Sequence, residues 1–478
     1  MNATAYPNGE FGGGTDRKLV VGGINSTVAI QSLYFGFYIL LMSGALFLVL
    51  NAGTAAGHAE DREAGSPLIQ LVSVLMAGPG LLLCFMRLDT SMRALGRAWP
   101  YLLVLVYSLL SLLWSVEPDV SFRRFTALLL GLPVAVYLIT AVPFPRLLRI
   151  MGITALVLVA ASYLSAAIPG VGLQTGDRHV GALKGIFPSK TYSGIFFGVS
   201  MLLFIANMAQ VKADKRKWLF WMISVSAGLV ALIASNSRTP LLAFFVSLGF
   251  VYLIGFLVKP TGWQRRFALS LRWFITIGTL FFITVVMPVM ISIVMYLINR
   301  DLTLTGRLRL WKYAVEIGAD RPWFGAGFKS FWTDKLTLDI LVLHQHWGER
   351  NTTRAMTSNA HNGYLDVWLE LGFIGLGLFV IFWISFLVRS VAAYREGHSS
   401  GYWALLLWSF MTIYYIGNST VFQHLDFSWF SVVLAFLLVS NYKNDWPAKL
   451  NKARSDASIT VGEALGPQRE AAAASLAQ

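Results

Sequence analysis

The sequence predicts an all-α, polytopic integral membrane protein with about twelve transmembrane helices and one large external loop. Three observations predict it. The 478 residues are 56% hydrophobic and only 13% charged, with a mean hydropathy of +0.62, against about 25% charged in soluble domains. Apolar runs of about twenty residues, each enough to cross ~30 Å of hydrocarbon, recur along the chain. One polar, aromatic and charged stretch, from Arg300 to about Glu370, interrupts them late in the sequence. It is far longer than an ordinary connection of about five residues.

The chain begins with MNATAYPNGEFGGGTDRKL, which lacks the apolar core of a signal peptide. The first apolar run is therefore expected to act as an uncleaved anchor. Spans are placed near 30–50, 67–86, 99–115, 125–142, 148–168, 190–209, 218–235, 240–258, 273–298, 364–388, 401–418 and 425–441. This divides the chain into a tail at 1–29, nine helices over 30–298, the loop at 299–363, three helices over 364–441 and a polar tail at 442–478 that reads as disordered. The single cysteine, Cys84, lies within a span, so no disulfide within the chain is expected.

Orientation follows from Lys and Arg. With the N-terminus in the cytoplasm, Arg87, Arg93, Arg97, Arg146, Arg149, Lys215, Arg216, Arg389, Arg395 and Lys443 all fall inside. The opposing loops AEDREAG, SVEPD and GNST are acidic or short. Both termini are then cytoplasmic, and the long loop is outside, in the periplasm of a Gram-negative cell. The formal charge of +14 suggests nucleic acid in a soluble protein. In a membrane protein it is accounted for by cytoplasmic loops, and no nucleic-acid partner is expected.

The long loop departs from that pattern. Residues 299–360 carry nine basic and six acidic residues, a net +3. Lys184, Lys190 and Arg238 stand at outer span edges. Basic groups gathered at an outer membrane surface suggest an anionic partner there, although a solvated surface accounts for much of the loop charge.

Several side chains can carry chemistry. Thr305 is a suitable N-cap, and the helix after it sets Arg307 and Trp311 four apart on one face. Arg307 then offers a guanidinium fork to phosphate, or lies on an interfacial amphipathic helix. Arg238 precedes Thr239-Pro240 at a span start, where a helix N-terminus attracts anions, or it snorkels to headgroups. Lys190, after Pro188-Ser189, has the same two readings. His361 in NAHNGYLD can take a proton at neutral pH, or can bond a backbone carbonyl at the interface. Asp366 and Glu370 lie one turn apart beyond it, and can orient a base or favour the start of a span. Trp311 and Trp332 offer flat faces to sugar rings, or belong to an aromatic belt. His344 and His346, taken with His361 and Asp366, match no tight ligand spacing, so no metal is expected. Gly325-x-Gly327 follows no strand, and no cofactor is expected.

The pieces LWSVEPDVSFRR (113–124), GIFPSKTYSG (185–194), SNSRTP (235–240), TGRLRLWKYAVE (305–316), RPWFGAGFKSFW (321–332) and AHNGYLDVWLELGFIGL (360–376) together resemble the O-antigen ligase/polymerase (Wzy/WaaL) superfamily, and most of all its exopolysaccharide polymerase branch. The resemblance implies a GT-C-like membrane bundle in the bacterial inner membrane. It implies metal-independent, inverting transfer of a glycan from an undecaprenyl-pyrophosphate-linked oligosaccharide to an acceptor glycan, with a chain-length regulator as a further partner. Residue by residue, it implies that Arg238 and Arg307 bind the pyrophosphate and that His361 activates the acceptor. Lys190 aligns with the lysine of a His-Lys-Asn motif, but Ser189 and Thr191 replace its neighbours. A ligase acting on lipid A core shares these motifs. A transporter of lipid-linked sugars, the reading of another class, wants charges at mid-membrane, whereas these lie at the outer edge.

Overall fold

The computed structural model describes residues 26–45, 67–168, 170–175, 180–258, 307–333 and 359–444. The span expected near 273–298, most of the long loop with His344 and His346, and both terminal tails lie outside the described residues.

Fourteen α-helices form among the described residues: α1 (Ser26–Met42), α2 (Pro67–Phe85), α3 (Leu88–Arg97), α4 (Trp99–Leu110), α5 (Pro118–Leu129), α6 (Gly131–Ala141), α7 (Phe144–Ala166), α8 (Lys190–Gln210), α9 (Lys215–Ala234), α10 (Arg238–Val258), α11 (Arg307–Gly318), α12 (Gly363–Arg395), α13 (Ser399–Gly417) and α14 (Phe427–Ser440). They contain no strand, only one isolated bridge between Leu173 and Leu183. The chain is thus an all-α membrane protein. Among the described residues, six helical segments are long and apolar enough to cross a membrane, or seven if the α2–α3 pair, bent by 101°, is one span. Shorter apolar helices at Ala29–Met42, Trp99–Leu113 and Phe427–Ser440 add to these. The expected dozen is therefore not reached among the described residues.

Composition explains the packing. Lipid gives helices no hydrophobic reason to associate, so close packing and polar contacts must hold them. α8 is the most enclosed, with 83% of its apolar window buried, and it packs against α9, α7 and α13. Buried serines on these helices return their hydroxyls to the carbonyl four residues back, as Ser200 does to Phe196 at 2.6 Å and Ser409 to Leu405 at 2.8 Å. That satisfies each hydroxyl without a partner helix. A block of aromatics from α12, α13 and α14, including Phe379, Phe382, Trp383, Tyr415, Trp429 and Phe436, fills the interior.

α12 runs from one end of the bundle to the other. Its C-terminal end meets the basic groups expected in the cytoplasm. Arg389 donates to the Arg97 carbonyl at 2.7 Å. Glu396, just past the helix, accepts from Tyr442 at 2.7 Å and pairs with Lys443 at 3.3 Å. Its N-terminal end carries the candidate site.

Candidate functional site

α12 begins with Asn362, whose side-chain oxygen accepts from the amides of Tyr364 and Leu365, both at 3.1 Å. The helix then breaks at Gly372, with φ 66° and ψ −171°. A break frees backbone groups that must be paired again. The RPWFGAG loop pairs them. The carbonyls of Leu369 and Glu370 accept from Ala326 at 3.0 Å and Gly327 at 2.8 Å. The amides of Phe373 and Ile374 donate to Pro322 at 2.8 Å and Trp323 at 3.2 Å. Only glycine fits at 372: a Cβ there would stand 2.2 Å from the Trp323 carbonyl.

The segment after α4 locks onto the same loop. Val116 donates its amide to Ala326 at 2.9 Å, and the Trp114 indole donates to Phe324 at 3.0 Å. Ser121 donates to the Phe328 carbonyl at 2.6 Å, and Arg124 to the Lys329 carbonyl at 2.5 Å. Three of the sequence motifs are therefore one structural unit.

His361 sits on a tight turn just before α12. The Asp366 carboxylate accepts from the Ala360 amide at 2.9 Å and from the Trp332 indole at 2.8 Å. The Trp311 indole donates to the Ala360 carbonyl at 2.7 Å. The His361 amide donates to the Asn359 side chain at 2.9 Å. His361 itself has φ 54°, a left-handed conformation that costs of order 1 kcal/mol for a non-glycine residue and concentrates at functional sites. Bonds on both sides of the turn hold it there.

A cavity of about 410 Å³ opens beside this turn. His361, Asn359, Trp332, Lys329 and Glu370 line it from the loop and α12; Arg124 lines it from α5. Gln423, His424 and Asp426 line it from the α13–α14 connection, and Pro188, Ser189, Thr191 and Tyr192 from the start of α8. Lys329 reaches Glu370 at 3.6 Å, with their side chains 15% and 3% exposed. Burial, then the cations Arg124, Lys329 and Arg123, push the His424 imidazole down to about 4, so it stands neutral at pH 7. Asp426 caps α14, accepting from the Trp429 amide at 2.7 Å and from the Ser428 hydroxyl. Burial raises its carboxyl to about 6.

The remaining expected site residues divide. Lys190 and Arg238 are each the first residue of a helix, α8 and α10. Ser237 ties the two starts together by donating to the Lys190 carbonyl at 2.9 Å. The approach is close enough that a Cβ on Gly194 would meet Ser237 at 2.4 Å. Arg238 is exposed and is not among the cavity-lining residues. Arg307 is the first residue of α11, one turn before Trp311, but its side chain lies outside the described residues. Trp311 and Trp332 both use their indole N–H groups to hold the His361 turn.

Lys329, Arg124 and His424 escaped the sequence reading. Arg124 closes the SVEPDVSFRR piece and Lys329 stands in GFKSFW, but nothing local tells such residues from surface cations. Among the described residues, no three His, Cys, Asp or Glu side chains are grouped to hold a metal ion.

Residues 223–380 match the family described as O-antigen ligase. That stretch is about a third of the chain, and the family it matches agrees with the resemblance that the sequence motifs carry. The matched stretch includes Arg238, Arg307, Lys329, His361, Asp366 and Glu370. The chain is also 22% identical over 298 residues to the exopolysaccharide production protein ExoQ of Rhizobium meliloti (strain 1021), covering 59% of this chain and 64% of that protein. The chain thus spans less than two thirds of that relative's length. The cavity draws on both the matched stretch and residues outside it, since Arg124, Ser189 and His424 fall beyond 223–380.

Proposed function

We propose that this membrane protein is a glycosyltransferase that polymerises exopolysaccharide repeat units. It transfers the growing glycan from an undecaprenyl-pyrophosphate donor to an acceptor sugar hydroxyl, with inversion and without a metal, at the periplasmic face of the bacterial inner membrane. The observation that carries this reading is His361, held on a strained turn by Asp366 and Trp311, in one cavity with the N-terminus of α8. His361 takes the acceptor hydroxyl proton as the new C–O bond forms at the anomeric carbon. The anomeric bond to the pyrophosphate breaks, and negative charge grows on the leaving group. Lys190, Arg238, Arg307 and the paired starts of α8 and α10 supply positive potential for that charge, which stabilises the transition state more than the ground state. Loss of one such donor costs ~3 kcal/mol in comparable sites. A general base contributes about 10²–10⁴ in rate.

The test uses a deletion strain carrying wild type, His361→Ala or Arg238→Ala at matched expression. Extracellular polysaccharide and lipopolysaccharide are run side by side. Loss of long polysaccharide with normal lipopolysaccharide, in the deletion and both variants, supports the polymerase. Normal polysaccharide with unsubstituted lipid A core supports a ligase, the reading favoured by the description of the matched family. Full function in both variants overturns the site.

A further inference from the structure

The cavity contains a buried carboxylate that the transfer step does not use. Glu370 is 2% exposed and lines the cavity. Its Oε1 lies 3.6 Å from the Lys329 ammonium. Its Oε2 has no hydrogen-bond partner among the described residues. A buried acceptor left unpaired is costly, and is common where a ligand completes the bonding.

The surroundings select the ligand. The free carboxylate oxygen repels phosphate, so this wall does not suit the donor pyrophosphate. Lys329 and Arg124, joined through the Lys329 carbonyl, repel a cation. A neutral molecule rich in O–H donors fits both conditions, and a sugar ring is such a molecule. Gln423 and neutral His424 add further polar groups on the same cavity. Position matters as well. Glu370 follows Asp366 by four residues, one helical turn or about 6 Å of rise on the same face. Asp366 in turn holds the amide beside His361.

We propose that Glu370, fixed by Lys329, is the hydroxyl-accepting residue of an acceptor-sugar subsite, with Arg124, Gln423 and His424 as its polar walls. It rests on the transferase reading above and divides the cavity into two parts. The α8 start faces the anionic donor, and the Glu370 wall holds the neutral acceptor. Glu370 sets which hydroxyl is presented to His361, and so contributes to linkage specificity.

The test uses full-length protein in nanodiscs and two probes. One is the oligosaccharide released by partial acid hydrolysis of the host strain's own exopolysaccharide, followed by saturation-transfer NMR. The other is undecaprenyl pyrophosphate, followed by native mass spectrometry. Wild type is expected to bind both. Glu370→Gln is expected to bind the oligosaccharide at least tenfold more weakly and undecaprenyl pyrophosphate within twofold. Gln423→Ala, away from the Lys329 pair, is expected to weaken the oligosaccharide alone, and it decides the matter if Glu370→Gln does not fold. Unchanged oligosaccharide affinity in the folded variants overturns the subsite, as does a wild type that binds only undecaprenyl pyrophosphate. Either outcome leaves the transferase reading standing. That reading falls separately, if wild type does not bind undecaprenyl pyrophosphate and cells with His361→Ala still make long polysaccharide.

Discussion

The Asp366 carboxylate accepts the backbone N–H of Ala360 at 2.9 Å, so a residue inside α12 fixes the turn that carries His361. The same oxygen accepts the Trp332 indole at 2.8 Å. Asp366→Asn keeps an oxygen in place and is expected to fold with a loss of about 1 kcal/mol or less. Asp366→Ala leaves two buried donors unpaired and is expected to cost about 2–6 kcal/mol, at about 1–3 kcal/mol for each unsatisfied group. Thermal unfolding in detergent checks the pair. Equal losses in the two variants would contradict this role.

Trp311 holds the other side of the turn, through its indole N–H and the Ala360 carbonyl. Trp311→Phe keeps the ring and removes only the donor. Stability is expected to fall by about 1 kcal/mol. The polymerisation rate is expected to fall further, about tenfold, because a misplaced base loses catalysis faster than the fold loses stability. A rate unchanged in membranes at matched expression would count against the tryptophan as a support for His361.

Gly372 allows α12 to break where the RPWFGAG loop docks. Gly372→Ala places a Cβ 2.2 Å from the Trp323 carbonyl on a backbone at φ 66°. A loss of about 3 kcal/mol or more is expected from strain and undocking together. Limited proteolysis is the readout, with faster cleavage between residues 321 and 333 as the expected result.

His424 and Asp426 respond to pH in opposite directions. His424 is held down to about 4, while an unfolded histidine protonates near 6.5. Its stabilising effect is therefore complete above about pH 6.5 and is lost as pH falls toward 4. Asp426 is held up at about 6 against an ordinary 3.8, so it adds stability as pH falls from about 6. Near pH 5 the two amount to about −2 and +1.4 kcal/mol, at 1.36 kcal/mol per pKa unit, and largely cancel. His424→Gln is expected to be more stable near pH 5 than near pH 7, and Asp426→Asn less stable. Parallel pH profiles for the two variants would contradict the assignment.

Composition and apolar runs were enough to determine an all-α membrane protein, because crossing hydrocarbon demands that every backbone group be paired within a helix. Short motifs carried the resemblance to the family that residues 223–380 match, and they picked out His361, Asp366 and Glu370 as neighbours, because one helix start carries all three. Trp311 and Trp332 were legible as important aromatics, but not as the indole donors that hold the Ala360–Asp366 turn. Arg124, Lys329 and His424 were not legible, since each comes from a different segment and each resembles an ordinary polar residue in its own stretch. The tertiary structure alone decided that the break at Gly372 exposes backbone groups which the 321–333 loop must pair. That pairing brings Arg124 and Lys329 to Glu370. Hydrogen bonds freed in one helix can be satisfied only by a segment that folding brings near, and no local pattern records which segment that is.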